Sequence, residues 1–241
     1  MKKFVSAIQF ITTLPAGKAG FFDPDDMAPF FPLVGLLCGF ILLLCDQVFI
    51  SFWPVPVASL LDVLVMIMLT GAFHLDGLSD SADGLLSHRG RDRMLAIMKD
   101  SRIGAMGMIV TVSVLAVKWA GISTLDDHRS LFLFLIPAYS RGSMLFGMKF
   151  LPYGRPENGI GKDLFDRPMG ISFFRFLALP LLLSLFCGFR GMVLNISYAI
   201  LIGLILLYYK KRLGCITGDM LGAMTETTEA FLFLLVAGGL V

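Results

Sequence analysis

Charge is scarce in this 241-residue chain, and it is balanced: 20 Lys and Arg stand against 18 Asp and Glu, a formal net charge of +2. So small an excess argues against a nucleic-acid partner, which needs a basic face to meet phosphates. Cysteine is scarce too. Cys38, Cys45, Cys187 and Cys215 lie singly in or beside apolar runs with no CxxC pair, so they read as packing residues and not as zinc ligands or a disulfide framework. No serine has a plausible His/Asp relay and no cysteine sits in a polar motif, so nothing points to a covalent nucleophile. What the chain has in excess is hydrophobicity: 56% of residues are hydrophobic and only 16% charged, against about 45–50% and about 25% in soluble domains. The fold class is therefore an all-α polytopic membrane bundle, one domain over 1–241.

A crossing needs about 20 mostly apolar residues. Apolar spans fall near 29–50, 57–75, 103–122, 130–149, 171–189, 191–209 and 216–241, so about seven transmembrane helices are expected, the last marked by its acids. Ahead of them, Lys2-Lys3 and the run Phe4 to Leu14 read as an interfacial segment, because Gln9, Thr12 and Thr13 interrupt the run and no small-x-small cleavage site follows. Assigned to alternate loops, Lys and Arg divide sixteen against two, with Arg129 and Arg190 alone on the poorer side. The positive-inside rule then gives a cytoplasmic N-terminus and places the protein in the inner or plasma membrane. Two cations remain inside spans: Lys118, expected to snorkel outward, and Arg141 near mid-helix. For Arg141, two readings stand open, a structural ion pair and a contact to substrate phosphate.

The most informative stretch is Phe73-His74-Leu75-Asp76-Gly77-Leu78-Ser79-Asp80-Ser81-Ala82-Asp83-Gly84. Its three aspartates, at i, i+4 and i+7, fall within about 60° of arc on one helix face. Anions so placed repel one another, and a divalent cation removes the penalty. Oxygen-only donors suit Mg²⁺, or Mn²⁺, over zinc. Gly77 and Gly84 would let a ligand or another backbone approach. His74 reads either as a ligand or proton carrier or as a hydrogen-bonded interfacial histidine. The next segment, Arg89 to Arg102, carries an apolar stripe at 94, 95, 97 and 98 under a basic rim, a short interfacial helix whose Arg91, Arg93, Lys99 and Arg102 could face phosphates. Asn158-Gly159-Ile160-Gly161-Lys162 could cradle a phosphate through backbone N–H groups and Lys162. Asp219, Glu226 and Glu229 lie within about 80° of arc and form a second acidic face. Carboxylates, cations and a divalent metal at one mouth of a bundle point to chemistry at a phosphate ester or pyrophosphate.

The chain resembles the adenosylcobinamide-GDP ribazoletransferase family. The likeness rests on Gly71-Ala72-Phe73-His74-Leu75-Asp76-Gly77-Leu78, Asp80, Asp83-Gly84, Arg91-Asp92-Arg93-Met94-Leu95 continuing through Ile97 to Gly104, Ser140-Arg141-Gly142, Gly159-Ile160-Gly161 and Thr217-Gly218-Asp219-Met220-Leu221-Gly222-Ala223. Ser79 and Ser81 depart from that family's usual small residues and leave the aspartates intact. The resemblance implies that adenosylcobinamide-GDP is joined to α-ribazole or α-ribazole 5′-phosphate with release of GMP and with Mg²⁺. On that reading Asp76, Asp80 and Asp83 hold metal. Asp100 or Asp219 completes the metal shell or acts as general base, and Lys99, Arg102 and Arg141 stabilise phosphoryl charge. His74, Arg91, Arg93 and Lys162 meet substrate. The lipid bilayer is the surroundings; contacts with neighbouring pathway enzymes follow from the resemblance only, and the oligomeric state stays open. Competing classes are a CDP-alcohol phosphotransferase, for which Ser81-Ala82 lacks the following Arg, a polyprenyl transferase, which wants a second aspartate-rich motif, and a cation-coupled transporter, which wants an inverted repeat.

Overall fold

Gly71 and Ala72 adopt the left-handed region, at φ 58° and 60°, and there the chain turns by 91° between two helices. The computed structural model describes residues 2–17, 27–154, 164–165 and 169–238. Among these, ten α-helices follow in order: α1 Lys2–Ile11, α2 Phe31–Phe52, α3 Val55–Thr70, α4 Phe73–Leu85, α5 Arg91–Ile97, α6 Ala105–Ser123, α7 Arg129–Phe150, α8 Ala178–Leu183, α9 Phe189–Arg212 and α10 Gly218–Ala237. The turn after α3 leaves carbonyls without helical partners. Thr13 meets two of them: its N–H donates to Leu69 (2.8 Å) and its Oγ1–H to Met68 (2.8 Å). The chain after α1 thus pins the bend that aims α4.

α7 and α10 form the core, 83% and 72% buried over their apolar stretches, whereas α6 and α9 are 22% and 28% buried and turn leucines, methionines and isoleucines outward, as lipid-facing helices do. α2 seats against α7 through Gly35 and Gly39, where a Cβ would collide with the backbone at Pro137, Ala138 and Phe134. This is the small-xxx-small solution to helix contact in lipid, where close backbone approach replaces a hydrophobic drive. α10 opens on Thr217, whose Oγ1 accepts the Met220 N–H (3.3 Å), and runs through the centre against α4, α6, α7 and α9.

The alternation of basic loops is built into the fold. At one end Arg91 Nε donates to the Leu213 carbonyl (3.0 Å), Arg212 donates to the Leu85 carbonyl, and Tyr153 bridges to Ile216. At the other end Arg129 grips Asp46 (2.6 Å) and Asp62 (3.0 Å), and Arg190 grips Asp126 (2.8 Å). Five described helices are long and apolar enough to cross a membrane, or up to six with the bent pair α3–α4 counted as one. The expected span 171–189 is not one helix. It is a 3-10 turn (Ile171–Phe174), α8, and a second 3-10 turn (Ser184–Cys187) ending on Gly188 at φ 61°. Its beginning lies at the basic end, where Phe176 packs on Phe30 (5.0 Å), and α9 starts at the opposite end beside Asp126. The expected span 57–75 likewise stops at Thr70, so the aspartate motif starts a new helix lying across the first turns of α6 and α10.

Candidate active site

Two glycines set the crossing of α4 and α10. A Cβ on Gly77 would lie 2.7 Å from the Asp219 carbonyl oxygen and 3.0 Å from its Cα; one on Gly222 would lie 3.0 Å from the His74 carbonyl oxygen. Only bare backbone fits, and the result sets the aspartate helix directly on the first turn of α10, with Asp219 beside Gly77. Asp76 is exposed, while Asp80, Asp83 and Asp219 are half-buried. Gly84 serves the other end of α4, where Met94 and Met98 of the α5 segment close over it.

Asp83 has a task the spacing did not reveal. Its Oδ2 accepts the Gly104 N–H (2.7 Å) and its Oδ1 the Gly107 N–H (2.8 Å), so the carboxylate sits on the N-terminus of α6. Those N–H groups have no helical acceptor, and the helix dipole favours an anion there. Part of the repulsion among the three aspartates is therefore relieved by the backbone at the start of α6. Among the described residues no three His, Cys, Asp or Glu side chains converge as a ready metal cage.

The basic residues divide between stitching and open positions. Arg91 ties α5 to the 213–215 turn, also donating toward the Cys215 sulfur (3.8 Å). Arg93 and Lys99 are exposed. Arg102 forks onto Asp100, with Nη2 to Oδ2 at 2.6 Å and Nε to Oδ1 at 3.0 Å. The guanidinium, together with the Arg102 backbone N–H, holds the Asp100 carboxyl down to about 2. A base so weak takes a proton poorly near neutrality. Its lowered pKa favours the folded state above the ordinary aspartate range and loses that effect as pH falls through about 2, on a solvent-accessible pair that salt screens. Asp100→Asn should therefore leave the pH profile of turnover unshifted between about pH 5 and 9; a displaced acidic limb would make Asp100 the base after all. Lys162 and its glycine loop lie outside the described residues.

Arg141 and Lys118 occupy one buried cluster. Lys118 Nζ donates to Glu226 Oε2 (2.6 Å) and Glu229 Oε1 (2.8 Å); Arg141 pairs with Glu229 Oε2, which also accepts the Ser140 hydroxyl (2.8 Å). Lys118 and Arg141 are each 2% exposed. Lys118 therefore does not snorkel: its acids lie on α10, and pairing there removes the need to reach an interface. Of the two readings of Arg141, the ion pair is the one the fold makes, and Glu226 and Glu229 are spent on it, leaving Asp219 as the acid of α10 near α4. His74 is 1% exposed with neither ring nitrogen hydrogen-bonded, so it faces the interior beside α10 and is not the hydrogen-bonded interfacial histidine of one reading. At the opposite end, Asp46 and Asp62, both fully buried, share Arg129. Sequence reading passed over both, although an acid inside an apolar span is itself the signal.

Against known proteins, residues 3–237 match the family model described as cobalamin-5-phosphate synthase. The chain belongs to that family. Relatives named adenosylcobinamide-GDP ribazoletransferase include those of Geotalea daltonii, 34% identical over 99% of this chain and 98% of that protein, and of Pseudomonas syringae pv. syringae, 35% identical over 98% and 99%. A third, from Brevibacillus brevis, is 31% identical over 99% of this chain and 98% of its own length. No solved structure matches. The cobalamin-5-phosphate synthase match runs from α1 to the last turn of α10, so α4, its α10 crossing and the α6 N-terminus all lie within it.

Proposed function

We propose that this chain is an adenosylcobinamide-GDP ribazoletransferase acting late in cobalamin biosynthesis, with its active site at the basic, cytoplasm-facing end of the bundle. The observation that carries the reading is the near-full-length match to relatives bearing that name, which takes in every helix that builds the site. A ribazole hydroxyl attacks the phosphate attached to the corrinoid arm; the new P–O bond forms as the bond to the GMP phosphate breaks, and the hydroxyl proton passes to a carboxylate. Asp219, whose backbone meets Gly77 of the aspartate helix, is the carboxylate assigned to that transfer. Arg93 and Lys99, exposed on the α5 side, draw the phosphates to the same face.

The residues suit Mg²⁺ in its usual manner, one or two carboxylates with waters and substrate phosphates in the remaining positions. Asp76 and Asp80 would hold it, all their donors being oxygen, while Asp83 stays on α6. When bound, the metal supplies charge neutralisation for the phosphates and the departing GMP.

The test is GMP release by the lipid-reconstituted chain given adenosylcobinamide-GDP, α-ribazole 5′-phosphate and Mg²⁺, with EDTA as control. Expected is metal-dependent GMP together with a corrinoid carrying its lower nucleotide. With protein that binds the corrinoid, absence of GMP would overturn the assignment and favour a transporter.

A further inference from the structure

Behind α4, on the face opposite its aspartates, lies an open groove of about 320 Å³ lined by α4, α6, α9 and α10. Leu78, Leu85, Val110 and Ala223 form its apolar walls, and Leu204 and Tyr208 of α9 stand at its edge, 58% and 40% exposed. It opens to the outside past these two residues, and its predominantly apolar walls give water few partners. Ser81, 1% exposed, lines the groove and its Oγ has no hydrogen-bond partner. A largely apolar occupant that carries an acceptor answers both features.

Position narrows the choice. The groove lies between α6 and α9, two of the helices with outward apolar faces, so the bilayer itself is the adjoining source of apolar chains. It sits near the basic end: Tyr208 and Tyr209 of α9 line it, and Lys210 and Lys211 follow at once, exposed and without an ion pair among the described residues. A half-exposed tyrosine followed by lysines is the pattern of the headgroup level.

We propose that this groove is a phospholipid site, taking one acyl chain of an anionic phospholipid, with a glycerol-ester carbonyl accepting the Ser81 hydroxyl and the headgroup phosphate against Lys210 and Lys211. The site is separate from the aspartate face and does not depend on the reaction assigned above.

Native mass spectrometry of the purified full chain, titrated with phosphatidylglycerol and with phosphatidylcholine of the same chains, reads it directly. Expected is one retained phosphatidylglycerol per chain. Leu204→Trp, which fills the mouth from a lipid-facing position, should weaken retention about tenfold or more, and Lys210→Ala with Lys211→Ala should bring the two lipids to parity. A diazirine-bearing acyl chain should label peptides containing 78–86 and 204–209 in the unaltered protein, which keeps the test decisive if Leu204→Trp fails to fold. Equal retention by a folded Leu204→Trp variant, or labelling confined to other segments, would overturn the proposal. So would one-for-one displacement of the lipid by α-ribazole 5′-phosphate, which would give the groove to substrate.

Discussion

Removing Glu229 is expected to cost the bundle more stability than any other single change. Its two oxygens serve Lys118, Arg141 and the Ser140 hydroxyl, all buried. In Glu229→Ala one anion, Glu226, remains for two buried cations: Lys118 keeps it as its sole partner, and Arg141 loses its paired acid. Breaking a buried pair from one side costs about 3–5 kcal/mol, because the orphaned charge stays desolvated. Charge balance separates this account from simple loss of packing. Lys118→Met alone leaves two glutamates facing one arginine and should destabilise strongly. Adding Glu226→Gln restores neutrality and should recover much of the loss, since a buried pair replaced on both sides is often close to neutral. Unfolding midpoints of the single and double variants in one detergent check it. If the double variant is as unstable as the sum of its singles, the cluster is not held by charge compensation.

What a sequence reading could reach here depends on how local the cause is. The division of Lys and Arg between loops is a per-loop property, and among the described residues the contacts agree with it: Arg91 and Arg212 are held at one end, Arg129 and Arg190 at the other. The single helix face of Asp76, Asp80 and Asp83 was equally legible, being three positions on one helix. Their fates were not. Asp83 finds its partners 21 and 24 residues on, at Gly104 and Gly107, and no periodicity announces a carboxylate capping a different helix. Lys118 looked like a snorkelling lysine because its acids lie 108 and 111 residues away. Hydropathy over 171–189 registers apolar side chains and misses the breaks that two 3-10 turns and Gly188 introduce. The bend at Ala72 is a tertiary choice, held by Thr13 from a segment more than fifty residues earlier.

The same distinction among the aspartates yields the sharpest functional expectation. Asp80→Asn preserves volume and removes charge, so the chain should still fold while GMP formation falls by about 10²–10³-fold or more, the scale of losing one transition-state charge partner. Asp83→Ala should behave differently: it strands the Gly104 and Gly107 N–H groups at the start of α6, with about 1–3 kcal/mol of destabilisation, and Asp83→Asn, keeping one acceptor, should recover part of it. Gly77→Ala tests the geometry without touching an acid. Its methyl would meet the Asp219 carbonyl oxygen and Cα, both backbone, so α4 must move off α10 and carry Asp76 and Asp80 with it. A displacement near 1 Å can cost about 10² in rate, so Gly77→Ala should fold yet lose activity on the order of Asp80→Asn. Full activity in Gly77→Ala would mean that the reacting groups do not span the α4–α10 crossing, and that Asp219 has no part in the reaction.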